Sequence, residues 1–587
     1  MRRHMVLVLL IVMMSESPCA GQQEYDAEQQ LEAVIADAWD FRLRHQPLFA
    51  TSVGEHKYND RLPVVTLEAI AQQTEASKRF LAKLKQIDRQ KLSKSARLNF
   101  DLFALNLRNQ IADARFNSEL IPITNRSGFH ISFPELRNRM PFNSTADYEN
   151  YISRLEQFKR YAQGHIALMR IGIERGYTLP LEVLANYRNP IEPHVVNDPK
   201  SSLFFEPLKN IPSSIPSDRH ADLRRAALTA IENSVVPGYE LFLEFMEKEY
   251  VPNARNTIGA STLPEGREYY RHCVQKFTTL PISPDEVHTI GMNEVARIRK
   301  EMEAIIEKVG FDGDFASFVN SLRSNKRFHP QSAEHLMKEV SFVLKKMDGK
   351  LPLLFKTLPR TPYGIKKIPD YIAPNTTTAY YMPPPGDGSL AGFYYVNTFD
   401  LKSRPLYEVE ALSLHEAVPG HHLQIALQQE MSDMPHFRRF SRFTAFIEGW
   451  ALYSERLGLE VGFYQDPYSD FGRLTYEMWR ACRLVVDTGM HYFGWSRQKA
   501  IDFMADNTAL SLLNIKAEVD RYISWPGQAL AYKMGELKIR ELRELAEQRL
   551  GRKFDIRDFH EVVLSEGGIP LEILESRVKN WIDQEST

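Results

Sequence analysis

The 587-residue sequence predicts a mostly α-helical fold of two lobes with one small β-ribbon. Three observations carry this reading. Apolar residues recur at three- and four-residue steps along most of the chain, the mark of helices with one buried face. Only residues 378–400 read as extended. The composition, 43% hydrophobic and 25% charged, is that of a globular chain able to bury a sizeable core. With 73 Lys and Arg against 75 Asp and Glu, the net charge is −2, which lacks the basic excess that nucleic-acid binding requires.

The elements follow in chain order. Arg2 and Arg3 precede an uninterrupted apolar run from Met5 to Met14, and the small residues Ser17, Cys19, Ala20 and Gly21 come next. This is the layout of a secretory signal peptide over residues 1–21, cleaved near Gly21. The run is shorter than the roughly 20 residues that span a bilayer. Glu16, Ser17 and Pro18 before Cys19 lack the residues of a lipoprotein site, so a lipid anchor is not expected. No second long apolar segment appears, and the mature chain is expected to be secreted or periplasmic without a stable membrane span. Its remaining cysteines, Cys273 and Cys482, are too few for a disulfide framework or a cysteine zinc site and read as two separate buried thiols.

The mature chain divides into an N-terminal helical lobe, 22–280, and a second lobe, 281–587. Helical periodicity is clearest over 146–176, 283–310 and 331–347. The second of these opens with Ser283, Pro284, Asp285 and Glu286, an N-cap followed by proline and acids in the first turn. Loops rich in proline and polar residues fall near 187–217, 252–266 and 350–388. In TAYYMPPPGDGSLAGFYYVNTFD (378–400), aromatic and β-branched residues flank a Pro/Gly turn, which predicts the ribbon. From 404 onward the pattern is helical again. No phosphate-binding loop follows a strand, and no nucleophile-elbow or cysteine-nucleophile signature is present.

One helical stretch carries chemistry. PLYEVEALSLHEAVPGHHLQIALQQE (405–430) gathers His415, Glu416, His421 and His422 within eight residues. A His–acid step alone means little: 17 His and 75 acids give about two by chance. The other, His560–Glu561, has no following histidine and reads as a surface pair. In the familiar zinc-peptidase pattern H-E-x-x-H, both histidines lie on one helix face. Here the second comes at i+6 or i+7, and on a straight helix i+6 points about 120° away and lies about 9 Å along the axis. Pro419 and Gly420 intervene. Proline cannot bond to the carbonyl of His415, and a bulge allowed by an unusual glycine φ would return His421 to a shared metal. His421 is then the better ligand, with His422 beside it in support or packing. A catalytic zinc takes three protein ligands. FTAFIEGWALYSERLGLE (443–460) places Glu448 in an apolar stripe, where a carboxylate needs a partner or a metal, and Glu455 on the same face to orient a ligating histidine.

These residues resemble a family. HEAVPGHHLQ (415–424), EGWALYSE (448–455) and PGQALAYKMG (526–535), supported by LPEGREYYRHCVQKFTT (263–279) and GFYYVNTFD around Asn397, are similar to the domain-of-unknown-function 885 family over nearly all of the mature chain. That family is related in pattern to helical zinc peptidases such as angiotensin-converting enzyme, oligopeptidases and thermostable carboxypeptidases. The resemblance implies a large helical metallopeptidase-like fold, with two lobes around a deep cleft and zinc at its floor in the second lobe. His415, His421 and Glu448 would be the ligands and Glu416 the general base. Tyr532, with Tyr522 as second choice, and His491 would donate to the reacting carbonyl. Arg521 and Lys533 are candidates to hold a substrate carboxylate, and the ribbon at 393–399 to pair with an extended substrate while Asn397 orients a backbone group. The expected activity is zinc-dependent hydrolysis of short peptides. Hydrolysis of another amide, or peptide binding without catalysis, are the alternatives.

Overall fold

The computed structural model describes residues 26–586 apart from Tyr371 and Asp387. The leader, with Cys19 and Gly21, lies outside the described residues. The fold is mostly α, with one small sheet. Helix starts fall where side chains can cap them. Ser144 and Asp147 form a capping box at the start of α1 (Thr145–Arg175). After α2 (Gly266–Thr278), Ser283 and Glu286 form a second box at α3 (Pro284–Lys308), with Pro284 in the first turn as the sequence predicts. Ser332 caps α4 (Ala333–Asp348).

The expected ribbon is present but belongs to a larger unit. Three strands, β1 (Tyr363–Lys367), β2 (Ala379–Met382) and β3 (Gly392–Val396), form a sheet in the order β1-β3-β2. β2 and β3 are antiparallel, with Tyr380 opposite Tyr395 and their rings stacked at 4.8 Å. β1 runs parallel to β3, with Tyr363 opposite Gly392. The sequence reading places β1 in a loop. It is five residues long and its partner is distant in sequence, so no hairpin signal marks it.

The C-terminal region supplies the scaffold of the site: α5 (Val409–Glu416), α6 (His421–Glu430), α7 (Thr444–Leu457), α8 (Pro467–His491), α9 (Leu512–Ser524) and α10 (Ala531–Leu550). α7 is central and packs on α5, α6 and α10, while α3 lies along α8. One apolar core cluster runs from Leu31 to Ile582 and crosses residue 280, where the sequence reading divides the lobes. α2, just before that point, packs on α7 and α10. His560 is fully buried rather than superficial. Its ring bonds to the Leu354 carbonyl at 2.8 Å and the Tyr453 hydroxyl at 3.0 Å. Cys273 and Cys482 are both free and buried. Among the described residues no helix is long and apolar enough to cross a membrane.

The α7–α10 contact is made by two glycines. A Cβ on Gly535 would lie 1.9 Å from the Ala445 carbonyl oxygen, and one on Gly449 would lie 2.5 Å from Gly535 Cα. Backbone meets backbone here, which sets how deeply α7, the helix that carries Glu448, rests on α10. Gly449→Ala or Gly535→Ala must push these helices apart. Each is expected to cost at least about 1–3 kcal/mol, read as a lower thermal unfolding midpoint.

Candidate metal centre

The histidine motif is a complete break between two helices. α5 ends at Glu416, the chain turns through Ala417, Val418, Pro419 and Gly420, and α6 begins at His421. The break is hydrogen-bonded throughout: Ala417 N–H donates to the Ser413 carbonyl, His422 N–H to the Ala417 carbonyl, and Trp450 Nε1–H of α7 to the Pro419 carbonyl at 2.9 Å. The expected helix bulge is therefore replaced by a turn. The expected role of Gly420 also changes. Its φ is an ordinary −75°, and what it supplies is room, since a Cβ there would stand 1.9 Å from the His415 carbonyl oxygen.

The turn brings together the residues that a regular helix would separate. His415, His421 and Glu448 each offer one ligand atom, and these atoms lie within 4.8 Å of one another. The two imidazoles stand nearly perpendicular, with centroids 4.8 Å apart. Glu448 Oε2 is 3.3 Å from His421 Nε2 and 3.7 Å from His415 Nε2, yet it is buried without a hydrogen-bond partner. His421 Nδ1 is likewise buried and unpartnered. A native interior rarely leaves such atoms unsatisfied, and two imidazoles with a carboxylate form the donor set of a catalytic zinc site. The residues fit the metal.

Glu455 sits behind His415, accepting from its Nδ1 at 2.8 Å, so that Nε2 faces Glu448. Burial works against a charged His415 ring, but the nearby Glu448 and Glu455 carboxylates outweigh it and raise its pKa to about 9. Burial likewise opposes ionisation of Glu448, and the His421 and His415 rings overcome it, holding the carboxyl well below its usual range. Glu416 is largely buried, and no side chain among the described residues hydrogen-bonds its carboxylate. The Tyr532 ring lies parallel to His415, 6.3 Å between centroids, and its oxygen accepts from Arg521 Nη2 at 3.1 Å.

His422 takes the packing role the sequence left open for it, and four other positions are tied up by their own neighbours. His422 turns away from the centre. It donates to the Thr361 carbonyl at 3.1 Å and accepts from the Tyr381 hydroxyl at 2.9 Å, so it ties α6 to the sheet. His491 is fully buried, accepting from Ala260 N–H and donating to the Tyr522 carbonyl, which leaves neither nitrogen for a substrate. It lies eleven residues beyond Arg480 on α8, about 16 Å along the axis. The Tyr522 hydroxyl accepts from Trp479 and Arg483, each at 2.8 Å, and its hydrogen goes to the Glu518 carboxylate. Lys533 is fully buried among Glu294, Glu477 and Glu536 at 2.8–2.9 Å, an internal ion cluster. Asn397 is also fully buried and staples the preceding loop, donating to the carbonyls of Ala373, Thr376 and Thr377. Each carries polar groups that its own neighbours satisfy, so none is free for substrate.

Sequence reasoning passed over several neighbours of the centre. Arg480 reaches Glu455 at 3.4 Å, and Arg483 lies over the Tyr532 ring at 4.1 Å. Arg483, Arg521 and Arg126 converge on Glu518 at 2.9, 3.2 and 3.3 Å. A signal existed for two of them: Arg480 and Arg483 stand one turn apart in a stretch of α8 where every residue is buried. A cavity of about 750 Å³ adjoins the centre; Thr444 and Ile447, in the turn of α7 before Glu448, line it. The three ligands themselves do not.

A family model described as "Bacterial protein of unknown function (DUF885)" matches residues 47–578, and the chain belongs to that family. No curated protein matches it. Among solved structures, the "putative lipoprotein from Colwellia psychrerythraea" superposes with a TM-score of 0.90 at 29% identity, over 95% of this chain and 100% of that one. A second, from Shewanella oneidensis and also described as a lipoprotein of unknown function, shares the fold with a TM-score of 0.69 at 19% identity, over 94% of this chain and 99% of that one.

The raised pKa of His415 has a consequence for the metal-free protein. Its folded value of about 9 exceeds the ordinary 6.5, so the stabilisation is fully present below pH 6.5 and is lost as pH rises toward 9. With chelator present, the thermal midpoint is expected to fall over that window, and Glu455→Gln to flatten the fall.

Proposed function

We propose that this chain is an extracytoplasmic zinc-dependent hydrolase that cleaves peptide bonds in short peptides. The observation that carries the reading is the convergence of His415, His421 and Glu448 on one point, with Glu448 Oε2 and His421 Nδ1 buried and unpartnered. Those three side chains would hold the zinc. When bound, zinc lowers the pKa of a water toward 7 and polarises a carbonyl. Glu416 follows His415 directly and has no bond of its own to satisfy, so its carboxylate is free to take the proton of the attacking water and pass it to the leaving amine. Arg521 donates to the Tyr532 oxygen, which leaves the Tyr532 hydrogen to point at negative charge developing on the carbonyl oxygen. Glu455 keeps the His415 ring in one tautomer. Arg521, bonded to Glu518, Gln528 and Tyr532, acts through Tyr532 rather than as a free cation for a substrate carboxylate.

The solved structure at 29% identity is described as a "putative lipoprotein", which supports an extracytoplasmic location and lends no support to the expectation that the chain carries no lipid anchor.

Metal analysis of the purified protein is expected to find one zinc per chain, lost in His415→Ala and Glu448→Gln. Glu416→Gln is expected to keep zinc and to lose about 10²–10⁴-fold in turnover of a peptide library digest read by mass spectrometry. A Glu416→Gln protein as active as its parent, or a parent that takes up no zinc, overturns the assignment. Tyr532→Phe is expected to lower kcat by about 10²-fold or more, with KM nearly unchanged, because its donor acts on charge present only in the transition state.

A further inference from the structure

The cavity beside the centre is strongly unbalanced in charge. Among the described residues its walls carry Arg42, Arg139, Lys276, Lys366, Arg439 and Arg442 against a single acid, Asp113. Lys276 is paired with Asp113 at 2.7 Å. Among the described residues, none of the other five has a carboxylate within 4.0 Å. Arg42 lies over Phe49 at 3.6 Å, and burial, with no acid to offset it, pushes its pKa down to about 10. Lys366 sits over the Phe393 ring at 3.7 Å, and Arg439 donates only to the Gln429 carbonyl. Arg442 has no hydrogen bond to any described residue; burial and the Arg139 charge push its pKa down, and the Glu448 charge acts the other way.

Some buried cations elsewhere are neutralised, as Lys533 is by three carboxylates and Arg483 by Glu518, while Arg154 and Arg404 are held by backbone carbonyls. Five cations without a carboxylate partner around one cleft, three of them exposed to solvent, give it a positive field that an incoming anion would meet. The same walls carry Phe277, Phe440, Phe443 and Tyr395, which offer apolar contact between the charges. The volume, about 750 Å³, is that of a ligand site. Cations interleaved with aromatic rings fit a chain that alternates carboxylates with apolar groups. A uniformly charged polymer leaves the rings without partners.

We propose that this cavity binds the acidic segment of a peptide, with Arg442 at the end next to Glu448. The proposal names the substrate class for the hydrolase reading and rests on that reading only for where cleavage falls. It is tested by fluorescence anisotropy on zinc-loaded Glu416→Gln protein. The probes are a labelled hexapeptide alternating glutamate and alanine, its glutamine counterpart, and a sulfated hexasaccharide. The glutamate peptide is expected to bind at least about tenfold tighter than the glutamine peptide and to weaken as salt rises. The double variant Arg139→Gln/Arg442→Gln is expected to lose at least about tenfold in that affinity with an unchanged thermal midpoint, both side chains being exposed. Equal binding of the two peptides, a double variant that binds like its parent, or tighter binding of the saccharide overturns it. Binding of the glutamate peptide without cleavage by the parent enzyme defeats the hydrolase reading alone; cleavage indifferent to charge, with equal binding, defeats the acidic-segment reading alone.

Discussion

The candidate centre depends on how closely α5, α6 and α7 approach one another at the turn 417–420. Three features make that approach possible. Gly420 has no Cβ to strike the His415 carbonyl, Trp450 Nε1–H takes the Pro419 carbonyl, and Gly449 lets α7 rest on α10 at backbone distance. The first places His421 back over His415, the second ties the turn to the helix that carries Glu448, and the third sets the depth of that helix. Because Glu448, Gly449 and Trp450 are consecutive, the ligand, the packing contact and the anchor of the turn move as one piece. A helix two residues from register would lose all three together.

Placing two histidines and several carboxylates in a dry interior raises the question of what balances them. Arg480 faces Glu455, and Glu455 faces His415 Nδ1, so the outer carboxylate is held between two donors. Glu448 faces only the two imidazoles. Without a metal, the balance is restored by a proton on His415, which is why its pKa rises despite burial. The proton and a divalent cation therefore compete for the same place, and the affinity of the proposed zinc site must rise with pH until His415 is neutral.

The parts of this arrangement that were legible in the sequence are those whose meaning is local. Three imidazoles and a carboxylate within eight residues, and two acids one helix face apart in an apolar stripe, announce themselves without knowledge of the fold. The capping box at Ser283 is legible for the same reason. Lys533, Asn397, Tyr522 and His491 are different. Each stands in a suggestive stretch, but its role is set by partners from distant segments: Glu294 and Glu477 for Lys533, the 373–377 loop for Asn397, Arg483 for Tyr522, Ala260 for His491. Polar residues near a motif are read as functional until the groups that satisfy them are known. β1 escaped for a related reason, since a parallel partner leaves no trace in adjacent sequence.

The same logic explains why net charge concealed the cavity. The chain as a whole is nearly neutral, and neutrality argues against polyanionic partners only if charges are mixed evenly over the surface. Here they are sorted. Acids gather on buried lysine and arginine, as Glu294, Glu477 and Glu536 do on Lys533, while five cations drawn from positions 42, 139, 366, 439 and 442 face one space without them. No window of sequence contains more than two of those five. The fold alone assembles them, and it does so beside a carboxylate, Glu448, whose own charge would repel an acidic ligand. Arg442 lines the cavity and is within reach of the Glu448 charge. On the acidic-segment proposal, its cation would offset the repulsion between Glu448 and an incoming carboxylate.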